Sequence, residues 1–435
     1  MALVGELELQ SFDYTDPELK GERFHTAMRE LATQGWLAQG PYGYVVLDRE
    51  AGEFFLRTRS AIFPGMKIAE LFDVKDGALW EEMKANILHV NGADHTRLRA
   101  LVNPALTPRA VERWRPAMRE FLSGLFAEVA EDRRCEFVEA FAKPYPSQTI
   151  ATVMGAPLAD APRLHHWSNW IQRQFDAASM VNEREGIELA VQEFYEYARA
   201  LIAARRDDPS DDLISTLLAA TYRPAPEDAA DGVGLGREKL SEEECVNLVL
   251  NVLIGGVDTT QSQLAHAVRL LAEHPDQWAA LVADPSLAGA AVEEALRFEP
   301  ITPFTARITV EELTYRDVTF PKDTVVMVCA FSGNRDLPDT TKGGVKGGVG
   351  GEIANPADDS WDFDITVQRP KARVLTFGAG VHYCLGANLA RLELEEGLSF
   401  LARNMPNLAL DGGADGIKYE SILGIYGLSE LPIRF

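Results

Sequence analysis

Apolar residues recur three and four positions apart along most of this chain, the spacing that lines one face of a helix. The stretches 109–130, 160–176, 185–206, 241–273, 287–298 and 385–404 all carry it. Strand-like runs are short. "YGYVVLD" and "EFFLRT" predict a hairpin-like pair near the start, and "ARITV", "LTYRDVTF" and "TVVMVCAF" predict a second β patch after residue 305. The pattern therefore predicts a mainly α protein with a small β part near 40–60 and 305–330.

Two stretches lack packing residues. "YRPAPEDAADGVGLGRE", 222–238, reads as a connector, because no strand precedes its G-x-G-x-G and a nucleotide site needs one. "TKGGVKGGVGGEIANPADDS", 341–360, reads as a flexible surface insert spanning about 337–360. The helix beginning at Ser241 opens with an S-x-x-E capping box to Glu244 and runs to Pro275. At 1.5 Å per residue such a helix is roughly 50 Å long, so it must cross the core. Its middle is the anomaly: "NVLIGGVDTTQ" puts Gly255, Gly256, Asp258, Thr259 and Thr260 in an otherwise apolar run. Each glycine forgoes about 1 kcal/mol against alanine, and an unpaired buried carboxylate costs more. A flat ligand lying against the bared face would offset that.

Composition narrows the function classes. The 46% hydrophobic content is that of a globular chain, and no window approaches the roughly 18 uncharged apolar residues of a spanning helix. The N-terminus has no basic region followed by an apolar run, so a cytoplasmic location is expected. A net charge of -24 argues against nucleic acid and anionic membranes as partners. Against that background, residues 97–119 hold six arginines and one acid, Glu112, a local surface suited to acidic groups. Cys135, Cys245, Cys329 and Cys384 lie too far apart for a C-x-x-C pair. The first three are expected to pack, and "His165-His166" is expected at the surface.

Cys384 differs. In "FGAGVHYCLGANLARLELE", Gly378 and Gly380 permit a tight turn, and a helical pattern starts at Leu385. A helix N-terminus is expected to lower the thiol's pKa. Such a cysteine is a nucleophile or a metal ligand, and His382 keeps the first option open.

The loop resembles the haem-binding loop of the cytochrome P450 family, F-x-x-G-x-x-x-C-x-G, at Phe377, Gly380, Cys384 and Gly386. Three further motifs resemble that family in the same order: "HTRLR", "GGVDTT" and "EALR". The resemblance implies a single P450 domain over 1–435, with haem b between the central helix and the cysteine-loop helix. It implies Cys384 as the iron ligand, with Phe377, Gly378 and Gly386 around it, and Gly255 and Gly256 over the porphyrin. His95, Arg99, Arg307 and His382 would meet the propionates, and Glu294 with Arg297 would form a structural ion pair. Asp258 and Thr259 would relay protons toward bound dioxygen. The implied activity is insertion of one oxygen atom of dioxygen into a hydrophobic small molecule. Electrons would come from a ferredoxin or flavodoxin with its reductase, docked at Arg109, Arg113, Arg115 and Arg119, with Lys342 and Lys346 as possible additions. Phe72, Trp80, Phe175, Ile301, Phe304 and Ile422 are candidate substrate walls, and a monomer is expected. The alternatives are a peroxide-dependent or non-oxygenating haem-thiolate enzyme and a non-catalytic haem-binding sensor; retention of Asp258-Thr259 favours the monooxygenase.

Overall fold

The computed structural model describes residues 2–222, 238–336, 358–369 and 373–435. Both sequence-predicted loops, with Lys342 and Lys346, lie mainly outside the described residues. The helices that frame the site are α1 (Gly21–Ala32), α2 (Arg49–Arg57), α3 (Gly77–Ala85), α4 (Gly92–Val102), α5 (Arg115–Val129), α6 (Pro144–Met154), α7 (Ala161–Gln172), α8 (Arg184–Asp207), α9 (Glu242–Gly256), α10 (Asp258–Glu273), α11 (Ala288–Phe298) and α12 (Ala387–Asn404). The apolar stripes of α1 and α2 pack into two smaller clusters, and those of α3 to α12 meet in one large core. Tyr145, Ile150, Trp167, Phe194, Leu253, Leu264 and Leu398 are among its members, each at most 1% exposed.

The principal sheet combines β1 (Leu37–Gly40), β2 (Gly43–Val46), β3 (Ala61–Ile62), β4 (Phe304–Thr309) and, from further along the chain, Val325–Cys329. The last of these pairs parallel to β2, Tyr44 opposite Val326, and antiparallel to β4, Phe304 opposite Cys329. "EFFLRT", expected as a strand, lies in α2 instead. Asp48 accepts from the Ala51 N–H and starts the helix, whose Ala51, Gly52, Phe55 and Leu56 face is buried. A helical i, i+3, i+4 pattern over so few residues is easily mistaken for a strand run. The partner of β2 is β1, with Leu37 opposite Val46.

The capping box at Ser241 and Glu244 is formed. The long helix, however, is broken. α9 ends at Gly256, Val257 adopts φ −88° and ψ −75°, and α10 begins at Asp258. Side chains that bond back to the i−4 carbonyl bend helices, and Thr259 does so here: its Oγ1 donates to the Gly255 carbonyl at 2.5 Å.

Candidate active site

Gly255, in the middle of the central helical run, is exposed, and a Cβ placed there meets no atom within 4 Å. Gly256 is different. Its Cβ would come within 2.3 Å of Ile150 Cδ1 on α6, so this glycine serves helix packing and not, as expected, the bared face. The acid beside it also departs from expectation. Asp258 is 5% exposed and engaged with α7, where Ser168 Oγ donates to Oδ2 and Asn169 Nδ2 lies 3.5 Å from Oδ1. Burial outweighs these donors and the nearby His165, and raises the carboxyl. His165 itself is half-buried against Gln261, at 3.0 Å, and only His166 is a surface residue.

The cysteine loop is a closed turn. Gly378 N–H donates to Leu375 O at 2.7 Å, and Cys384 N–H to Phe377 O at 2.9 Å. Gly380, at φ +72°, packs so tightly on the end of α2 that a Cβ would sit 2.7 Å from Leu56 O. Gly386 leads into α12, and a Cβ there meets nothing within 4 Å. Phe377 lies under Arg391, whose guanidinium is 4.5 Å from the ring centroid. The N–H groups of Gly386 and Ala387 do serve Cys384, and Arg99 and Arg391 add positive charge, but burial is the larger influence and the thiol is raised, not lowered. A helix terminus alone does not ionise a thiol this enclosed; a metal cation does.

Basic groups converge beside the loop. The rings of His95 and His382 lie 4.2 Å apart between centroids, tilted by 45°, and Arg99 Nη2 donates to Tyr383 O at 2.8 Å. His95 Nε2 is buried and has no hydrogen-bond partner. Arg307 is 4% exposed, and among the described residues its guanidinium meets only the Ala306 carbonyl, at 2.8 Å. Burial lowers Arg307 to about 10, and burial with the positive charge of His95, Arg307 and Arg99 lowers His382 to about 3. Among the described residues no carboxylate answers these bases. Cations withheld from water without an acid are costly unless an anion joins them.

Behind the loop, Glu294 binds Arg297 through two contacts of 2.7 Å. Sequence reasoning missed a third member, Arg369, whose Nε and Nη2 each lie 2.9 Å from the same carboxylate. Nothing in its local sequence distinguishes it. Burial would raise Glu294, but the two arginines and the Asp364 N–H together hold it down. Also missed was the anchoring of Asn334, which accepts from Leu375 N–H at 2.6 Å and donates to Thr376 Oγ1 at 2.9 Å, fixing the start of the cysteine loop.

The expected substrate walls divide. Phe72, Trp80 and Phe175 are partly buried against the main core. Ile301 is 6% exposed, and its carbonyl receives the Tyr426 N–H. Phe304 and Ile422 sit in a separate core, Phe304 lying 6.0 Å from Phe12 and 5.6 Å from Tyr14. They are core residues, held there by the packing of the N-terminal segment on the sheet. Among the arginines assigned to docking, Arg115 and Arg119 close on Glu396 of α12, Arg119 at 2.6 Å, and Arg113 pairs with Asp211. Arg109 remains exposed.

A helical body with a cysteine at the head of one helix, a bared glycine on another and a group of bases without a carboxylate among the described residues is the arrangement a porphyrin-binding protein with a cysteine-ligated iron would present. The chain belongs to the cytochrome P450 family, whose model, described as Cytochrome P450, matches residues 44–337. It is 31% identical over 432 residues to a luteothin monooxygenase of Streptomyces thioluteus, covering 98% of this chain and 96% of the relative. Among solved structures, CalO2 superposes with a TM-score of 0.83 at 28% identity over 98% of this chain and 99% of its own. P450BioI, solved with a hexadec-9Z-enoic acid ligated acyl carrier protein, gives 0.76 at 28% over 95% and 97%. The protein is a P450 monooxygenase, a haem-iron enzyme of a bacterial type. Among the described residues no helix is long and apolar enough to cross a membrane.

The residues present fit that cofactor. The orphaned His95 Nε2, the acid-free Arg307, the open space at Gly255 and Gly386 and the enclosed Cys384 thiol are what a porphyrin with an iron and two carboxylates would satisfy.

Proposed function

We propose that this chain holds haem b through Cys384 and hydroxylates or epoxidises a hydrophobic small molecule with dioxygen and electrons from a separate ferredoxin or flavodoxin system. Iron held by a cysteine thiolate supplies the O–O cleavage chemistry when bound. The chain's own residues do the rest. Cys384 ligates, with Gly386 and Ala387 N–H groups aimed at its sulfur to spread the charge. His95, Arg99, Arg307 and His382 hold the propionates. Gly255 keeps the central helix from filling the reaction space. Thr259 Oγ1 spends its proton on the Gly255 carbonyl and so offers lone pairs to a donor on the open side. Asp258, whose carboxyl burial raises, lies one residue away and reaches α7 through Ser168. Phe72, Trp80 and Phe175 supply apolar walls. The reading takes the whole chain as one domain, monomeric and cytoplasmic.

The single observation that carries it is the set of unanswered bases beside the enclosed Cys384. The test is an optical titration of the purified ferric protein with terpenoids, alkyl-aromatics, polyketides and free fatty acids. Displacement of iron-bound water by a substrate is expected to shift the haem band from low to high spin. Cys384→Ser is expected to remove the thiolate spectrum; a variant that retains it, or a wild-type protein with no haem band, refutes the assignment.

A further inference from the structure

His89 lies in the turn between α3 and α4, outside every motif that resembles the P450 family. Its Nδ1 contacts the Met83 carbonyl, which fixes the proton there and leaves Nε2 as the free end of the ring. Nε2 is buried and has no partner. The ring cannot swing away to find one. Phe63 stacks on one face, with centroids 5.3 Å apart and planes 17° from parallel, and a Cβ at Gly65 would lie 3.2 Å from the His89 side chain. Orphaned buried nitrogens are rare in native proteins because each loses its hydration without return.

Its position gives the orphan a partner. Asn91 Nδ2 donates to the His89 carbonyl at 2.9 Å, and Asn91 Oδ1 lies 3.3 Å from Nε2 of His382, whose ring is in contact with that of His95. On the other side, Ala61 pairs with Thr309 and Ile62 with Ile308, a register that brings Phe63 level with Arg307. His89 is thus bracketed by His382 and His95 through Asn91 and by Arg307 through Phe63. Of those neighbours, His95 Nε2 likewise has no partner, and Arg307 meets only the Ala306 carbonyl among the described residues.

We propose that His89 Nε2 is a further haem-propionate contact, supplied by the turn before α4, so that seating the cofactor also pins Phe63, the ring stacked on it. With Nδ1 already donating, the bond holds one proton between Nε2 and the carboxylate, whichever atom carries it. Haem binding therefore takes up that proton, since burial keeps the ring neutral beforehand, at about 4. The proposal rests on the haem reading above, and the two can fail separately. A protein without a haem band fails that reading; a haem-loaded protein indifferent to His89 fails only this one.

The experiment compares haem-loaded wild type, His89→Leu and His89→Gln by resonance Raman spectroscopy of the propionate bending modes and by the rate of haem loss to a scavenging apoglobin. The measurements are repeated on protein reconstituted with the haem dimethyl ester. His89→Leu is expected to shift a propionate mode and to speed haem loss by roughly tenfold or more, the effect usual for losing a supporting contact at a metal site. His89→Gln, which keeps a donor, is expected to stay within about threefold of wild type, as glutamine retains the hydrogen bond without the charge. With the ester the three proteins are expected to lose haem alike. An unshifted propionate mode in His89→Leu overturns the proposal. So does an acceleration that persists with the ester, because His89 then merely packs the turn. A changed substrate-induced spin shift with unaltered propionate modes also overturns it, by moving the contact to the substrate.

Discussion

A single carboxyl shows how burial rewrites a residue's chemistry. Glu82 of α3 is 0% exposed, accepts from Asn86 Nδ2 at 2.7 Å and leaves Oε2 without a partner. Burial raises it from 4.5 to about 7. The folded protein then binds one more proton than the unfolded chain between those values, so stability falls as pH rises from about 4.5 to 7 and levels off above. The window is worth up to roughly 3 kcal/mol. Glu82→Gln removes the slope. Relative to wild type it is expected to unfold at higher urea concentration at pH 8 than at pH 5; an offset equal at both pH values contradicts the burial argument. Cys384 follows the same logic, its thiol raised by burial, and the proposed iron would reverse the outcome, because a metal, unlike a hydrogen bond, makes the thiolate the favoured form.

At the scale of elements, adjacent glycines in one helix have opposite duties. Gly255→Ala adds a methyl group to open space and gains helix propensity, so stability is expected to hold or rise by up to about 1 kcal/mol. The cost falls on the site, and the substrate-induced spin shift and carbon monoxide binding rate are expected to drop. Gly256→Ala drives a methyl group into Ile150 and is expected to lose about 1–3 kcal/mol. Calorimetry and ligand-binding kinetics on the pair separate the roles; equal losses of stability would reject the distinction. The junction of α11 with the segment after residue 357 depends on Glu294, which answers two arginines while Arg297 also reaches the Ser360 and Asp362 carbonyls at 2.7 and 2.8 Å. Glu294→Ala leaves buried guanidinium groups unpaired and is expected to cost about 3–5 kcal/mol in urea unfolding. A cost under about 1 kcal/mol would place the pair among exposed ion pairs.

For the whole molecule, a net charge of -24 makes any basic face a focus for an acidic partner. The described structure reduces the face suggested by residues 97–119. Arg97 binds Glu244, and Arg115 and Arg119 tie α5 to α12 through Glu396, which leaves Arg109 and the half-engaged Arg113 as the cations a partner would meet. Arg109→Glu combined with Arg113→Glu is expected to raise the ferredoxin concentration needed for half-maximal turnover severalfold at low salt, with little change at high salt. Unchanged partner dependence at low salt would move the docking surface elsewhere. Arg119→Ala is expected to act differently, lowering stability through Glu396.

The sequence by itself determined the class of the protein. Helical periodicity marked the body, Ser241 and Glu244 marked where α9 starts, and four short motifs marked the cysteine loop, the central helix, the ion pair and the first residues proposed to meet the propionates. Those signals are local, so they are legible one stretch at a time. Only the tertiary structure decided the rest, because the deciding contacts join distant segments. Whether Gly256 faced a cofactor or Ile150, whether Asp258 faced the site or Ser168, and whether Phe304 was a wall or core all depended on which helix or strand lay opposite. Arg369 joined Glu294 across 75 residues and His89 approached His382 through Asn91, neither with a local signature. Burial, too, is a property of the assembled fold, which is why the helix terminus at Cys384 promised a lowered thiol pKa and the enclosing protein raised it.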